Sequence, residues 1–199
     1  MINLKKPSYW IDLKASQKNA TSYVLNGKLT PEGKILGTLT TYTQGYAAFN
    51  KRKEILRHTS TDEFVEKLDE RLPRVKIMAH EISGIDSVEN SLVEKYEVEF
   101  TVTDGTNQNQ FYFSPFFINM ITKNPFNLNE RNYPVDLGAA SDERIIVNLA
   151  LSDKFELLEK PKDMAIGLPN SGGKYLLKTN LDGETLTLNQ ILQFNNAIY

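Results

Sequence analysis

The sequence has no cysteine. That absence removes disulfides, zinc–thiolate sites and a cysteine nucleophile together. It assigns no compartment, because a cysteine-free chain folds in any redox environment. Long apolar runs are also missing. None approaches the ~18 residues a membrane helix needs, and the opening "MINLKKPSYW" has charge but lacks the apolar core of a signal peptide. No excess of one charge is present either. With 23 basic and 25 acidic residues the net charge is −2, and no basic patch stands out, so nucleic-acid binding has no electrostatic support. Histidine is scarce, with two in 199 residues.

What is there is the mixture of a soluble globular protein, 40% hydrophobic and 24% charged. A chain this long buries a continuous core without covalent staples. Strand signals dominate. "SYWIDLK" (8–14), "ATSYVLNG" (20–27) and "GKILGTLTTYT" (33–43) read as the first strands of an antiparallel sheet. The period then changes. Ala48, Phe49, Arg52, Ile55 and Leu56 fall on one face of a helix predicted over 46–57. Arg52 on that stripe must snorkel out or pair with a carboxylate or backbone carbonyls, and pairing in a buried site is predicted. A second helix is predicted over 61–71. Ser60 and Glu63 have capping-box spacing, Phe64, Val65, Leu68 and Leu72 form the stripe, and Pro73 ends it.

The strand period returns in "VKIMAHEIS" (75–83) and is clearest in "SLVEKYEVEFTVT" (91–103). There Leu92, Tyr96, Val98, Phe100 and Val102 share one face, while Lys95, Glu97, Glu99 and Thr101 share the other. "FYFSPFF" (111–117) reads as a hairpin partner for it. "ERIIVNLAL" (143–151) turns Ile145, Val147, Leu149 and Leu151 inward, and residues 173–194 form a hairpin around Asp182-Gly183. The resulting fold class is mainly β: an antiparallel, sandwich-like domain with a two-helix insertion near residues 46–71. One domain over 1–199 is the primary reading. The alternative is two packed subdomains, about 1–110 and 111–199.

A search for chemistry returns no catalytic, cofactor or metal site. His58 sits at a helix end, where a cation is favourable, and His80 lies in a strand beside Glu81; neither has a ligand set around it. Ser171 in "LPNSGGKY" lacks the preceding glycine of a nucleophile elbow and reads as a glycine turn into the strand at Tyr175. Glu94, Glu97 and Glu99 alternate along a strand, a pattern more typical of solubility than of a glycosidase pair. "NAT" (19–21) fits an N-glycosylation pattern and "DSV" (86–88) a bacterial O-glycosylation acceptor, each only three residues long.

Several pieces carry a resemblance when taken in order. They are "GYAAFNKR" (45–52), "FYFSPFF" (111–117), "NPFNLNERNYPVDLG" (124–138), "IIVNLALSDKFELLEKPKDMAIGLP" (145–169) and a final hairpin ending "QFNNAIY". This order resembles the region that follows the catalytic core in large bacterial transglutaminase-like, putative-protease proteins. The resemblance spans about residue 8 to the end. It implies a C-terminal β domain of unknown function, outside the papain-like core that carries the Cys-His-Asp triad, in an exported protein. No residue here matches that triad, and related sequences continue into a helical tail beyond "NNAIY", so the chain looks like an excised domain. The implied role is a non-catalytic accessory domain whose partner is the core, without cofactor. The alternative is an extracellular carbohydrate- or protein-binding β-sandwich. Within the 124–138 loop, Pro125 and Pro134 push Asn124 and Tyr133 toward extended backbone, and Phe126, Tyr133 and Val135 are expected to anchor it to the core. A peptide- or glycan-binding role for the loop is left open.

Overall fold

The computed structural model describes residues 9–11, 15, 17–72, 74–104, 110–115 and 133–199. The strands are β1 (Asn19–Leu29), β2 (Lys34–Gln44), β3 (Val75–Ser83), β4 (Leu92–Thr101), β5 (Thr103–Asp104), β6 (Phe111–Tyr112), β7 (Ser141–Ala150), β8 (Met164–Gly167), β9 (Gly173–Asp182) and β10 (Thr185–Phe194). Helices α1 (Gly45–Ile55) and α2 (Thr61–Glu70) follow β2. The mainly-β architecture with a two-helix insertion is therefore as expected. Eight strands join one sheet in the order β3-β4-β2-β1-β7-β10-β9-β8, and β5 pairs with β6 separately. All pairings are antiparallel except β1 with β7, which runs parallel from Asn19↔Ser141 to Lys28↔Ala150.

Alternation decides the buried face. In β4 and just beyond it, Leu92, Tyr96, Val98, Phe100 and Val102 are buried. Ladder register lines them up with Ile35 and Leu39 of β2 and, across β1, with Val147 of β7. Leu177 of β9 and Leu188 of β10 extend the same face, so both halves of the sheet feed one core. Helix α1 packs over β1 and β2, and α2 over β3, giving that end of the sheet its second layer. The β9–β10 hairpin turns through Gly183 and Glu184, with Gly183 at φ 54, a conformation that disfavours any side chain bearing a Cβ.

Both helix starts are capped, in different ways. Ser60 Oγ accepts from the Glu63 N–H at 3.1 Å, and Glu63 reaches back to the N–H and hydroxyl of Thr59 at 2.7 and 2.6 Å. At α1 the preceding residue makes no side-chain cap; Asn19, the first residue of β1, accepts from the Ala47 N–H at 2.8 Å instead. The carboxamide read as a glycosylation acceptor thus caps a helix. The chain enters α1 through Gly45 at φ 67, where a Cβ would collide with the Lys18 carbonyl.

The predicted α1 stripe is narrower than the sequence suggested. Ala48, Arg52 and Ile55 are buried, whereas Phe49 and Leu56 are exposed. A helix roofing a sheet buries one row and leaves its flanks to solvent, and Lys53 lies 5.5 Å from the Phe49 ring centroid. Two other expectations also fail. Residues 9–11 are not strand and Trp10 is fully exposed. Tyr133 is 82% exposed, so it anchors nothing, while Val135 exchanges backbone hydrogen bonds with Tyr199 at 2.6 and 2.9 Å. Asn124, Pro125 and Phe126 lie outside the described residues.

Arg52 is buried as predicted, with 4% of its surface exposed. Its guanidinium donates to the carbonyls of Gly84, Ser87 and Asn90 at 2.9, 2.7 and 2.6 Å. These three belong to the β3–β4 connection, and the charge-assisted bonds tie it to the buried guanidinium of α1. Arg52→Ala should destabilise the fold by ~3–5 kcal/mol, the range for breaking a buried charged pairing. Arg52→Lys, with one ammonium in place of a planar fork, should recover part of that. Urea denaturation of the three proteins checks this; superimposable curves would show that the clamp contributes nothing.

Candidate functional site

Sheet register builds the one site with concentrated chemistry among the described residues. Tyr23 of β1 lies beside Thr41 of β2, and Thr41 beside Glu94 of β4. Strands are ~4.8 Å apart, so the three side chains form a polar row across a face that is otherwise core. Thr21 and Thr43 pair in the next position toward the strand ends. Above the row, Ala47, Lys51 and Glu54 follow one another at helical spacing along α1. Leu68 and Leu72 from α2 and its C-terminal turn, with Ile77 and Val98 from β3 and β4, supply an apolar wall. Together these groups enclose a hollow of about 470 Å3 between sheet and helices.

Charges alternate from mouth to floor. Arg71 Nη2 lies 3.3 Å from Glu54 Oε1, and Lys51 Nζ is 3.1 Å from Glu54 Oε2. Lys51 also sits 4.8 Å from the Phe64 ring centroid and 3.8 Å from Glu94 Oε1. The Tyr96 hydroxyl donates to the same Glu94 oxygen at 2.8 Å. Glu94 is 3% exposed. Burial pushes its pKa above the usual carboxylate range, and Lys51 and the Tyr96 hydrogen bond only partly oppose that. Burial also raises Glu54, but Lys51 and Arg71 outweigh it and hold Glu54 below its ordinary value. The Tyr23 phenol is pushed up to about 12 by burial and by Glu143 and Glu94. Tyr96 is raised by the same kind of cause, with Glu94 beside it. At neutral pH both phenols are neutral hydroxyls.

Glu94 corrects the sequence reading, which grouped it with Glu97 and Glu99 as surface glutamates. Position 94 has the parity of Leu92 and Tyr96, so the alternation itself points it inward. Glu97 and Glu99 lie on the opposite face, and Glu99 accepts from Lys34 there at 2.7 Å. The histidines do find carboxylates. His58 Nδ1 is 3.9 Å from Glu63 Oε1 and His80 Nε2 is 3.4 Å from Asp62 Oδ1, both in the first turn of α2. Asp62 is 87% exposed and both contacts are long, so these are loose surface pairs of small energetic weight. Among the described residues no three metal-ligating side chains gather. Ser171 is a turn residue, as expected. It and Asn170 adopt φ 55 and 56, and its carbonyl accepts from the Asn195 amide at 2.7 Å. The turn ties the Tyr199 hydroxyl to the Gly172 carbonyl, and strand β9 starts one residue later.

Fold and hollow together define a class: a mainly-β domain with two helices roofing one end of a sheet over a charged cavity. Residues 109–199 match a family described as a domain of unknown function with solved structure, DUF3858. That segment takes in β6 to β10, the half of the large sheet beyond the parallel seam together with one strand of the small hairpin. No curated protein and no solved structure matches the chain. No helix among the described residues is long and apolar enough to cross a membrane.

The Glu94 environment gives a pH prediction. A carboxylate whose pKa is raised by folding contributes stability that is fully present below its unfolded value and is lost as pH rises through the folded value. Glutamine at this position cannot ionise and escapes that loss. Glu94→Gln should therefore be more stable than the wild type near pH 7, with the gap closing toward pH ~4, the usual carboxylate range. Thermal melts across that range check it. A gap that does not change with pH would mean that Glu94 is not held in a carboxylate-hostile site.

Proposed function

We propose that this chain is a non-catalytic accessory domain of an exported, bacterial, transglutaminase-like protein. In this reading it packs against the catalytic core and helps to position the core's substrate. One observation from the sequence supports it: the ordered set of segments that resembles the region after such a core. Papain-like acyl transfer needs a thiolate with a base and an orienting group, and this chain contains no cysteine.

The observation that carries the docking part is the contrast between the two edges of the sheet. Edge strand β3 is guarded by a register break between Ile77 and Ala79 and by Lys76, His80 and Glu81. Edge strand β8 is Met-Ala-Ile-Gly, without charge or proline. Met164 and Ile166 pair opposite Leu177 and Tyr175 and so lie on the core face, yet they are 46% and 51% exposed. Where β8 stops, β9 is sealed in another way: Lys160 donates to the Thr179 carbonyl at 2.7 Å and Asp163 accepts from the Thr179 N–H at 3.0 Å. The bare stretch is therefore confined to β8, a place where an added strand continues both the ladder and the apolar face.

The purified chain should show no peptidase, amidase or transglutaminase turnover. It should bind the separately produced core of its parent protein, and Ile166→Lys should weaken that binding about 10-fold or more, ~1.4 kcal/mol. Reproducible turnover abolished by one substitution in this chain would refute the accessory role. Binding unaffected by Ile166→Lys would move the docking surface away from β8.

A further inference from the structure

The hollow under the helices has unused hydrogen-bonding capacity, and most of it is for accepting. Both partners of Glu94, the Tyr96 hydroxyl and Lys51, approach the same oxygen, Oε1. Among the described residues Oε2 receives no hydrogen bond, although the side chain is almost wholly buried in the cavity wall. Thr41 and Tyr23, next to it in the polar row, line the same cavity, and no hydrogen bond joins their hydroxyls to a described group. The carboxylate oxygen only accepts, and each hydroxyl accepts as well as donates. The cations are already engaged: Lys51 lies on Glu54 and over Phe64, and Arg71 lies on Glu54. An anionic ligand would have to break those pairs, whereas a donor would not.

The geometry points to a binding site for a primary alkylammonium group, with the ammonium on Glu94 Oε2 and the Thr41 and Tyr23 hydroxyls, and the alkyl chain along Leu68, Leu72 and Ile77. An ammonium has three donors and no acceptor, which matches one carboxylate oxygen and two hydroxyls. It would lie on the side of Glu94 away from Lys51, with the carboxylate between the two cations. The apolar wall suits a chain of several methylenes, as in a lysine side chain or an aliphatic amine. This inference rests on the cavity alone and stands whether or not the chain docks on a core.

Three probes of equal length separate the alternatives: n-pentylamine, n-pentanol and n-pentanoate, titrated at pH 8 and followed by methyl NMR shifts of Leu68, Leu72 and Ile77. Pentylamine should bind saturably, and the other two at least tenfold more weakly. Glu94→Gln should lower pentylamine affinity at least tenfold while leaving pentanol unchanged. Thr41→Val, a shape-preserving change, should lower it by a smaller factor. Melting curves of both variants show whether they fold. Pentanol binding as tightly as pentylamine would make the hollow a plain apolar cavity and overturn the assignment. So would tighter binding of pentanoate, which would give control to Lys51 and Arg71, or saturation by none of the three.

Discussion

The whole sheet depends on the parallel ladder between β1 and β7. Take it away and two four-stranded antiparallel sheets remain, β3-β4-β2-β1 and β7-β10-β9-β8. Parallel pairing is the weaker kind of ladder per residue, so the seam depends on its faces. On the core side Leu25 lies beside Val147 and Tyr23 beside Ile145. On the other side Asn148 donates to Asn26 at 2.8 Å, and Lys18 contacts Asp142 at 2.6 Å near the strand starts. The family match begins just before β6 and covers the strands on the β7 side. The strands that build the charged hollow, and both helices, lie on the other side of the seam.

That division explains why the cavity and the exposed edge are at opposite ends. The helices cover the sheet where β1 to β4 present Tyr23, Thr41 and Glu94, and a roof over polar side chains leaves a hollow that close packing would otherwise fill. Toward β8 the core face continues past its cover, and Met164 and Ile166 meet solvent. One continuous face thus changes from buried and charged to open and apolar across the width of the sheet.

Local rules account for most of what could be read in advance. Period-2 alternation placed β3, β4 and β7 within a residue or two, and the Ser60–Glu63 spacing marked the start of α2. Arg52 was legible because a cation on an apolar helical stripe has few alternatives. Glu94 was also legible, by parity, but it was grouped by residue type with its outward neighbours. The polar row was not legible. It arises from lateral register among β1, β2 and β4, and nothing local in a strand specifies which side chains become its neighbours across the ladder. The parallel seam was hidden for the same reason, since its two strands are separated by more than half of the chain. Strand β8 was missed because four apolar or small residues after a charged stretch carry no period.

The three carbonyls that converge on Arg52 also limit how the β3–β4 connection can vary. Surface loops usually accept inserted or deleted residues at little cost, because closing a slightly longer loop loses little entropy. Here Gly84, Ser87 and Asn90 must all point at one planar fork from fixed positions. Adding a residue anywhere between them rotates at least one carbonyl away and leaves a donor of a buried cation without an acceptor. Length in this loop is therefore as constrained as it would be around a metal ion, and the natural place for insertions is elsewhere, at turns whose carbonyls face water.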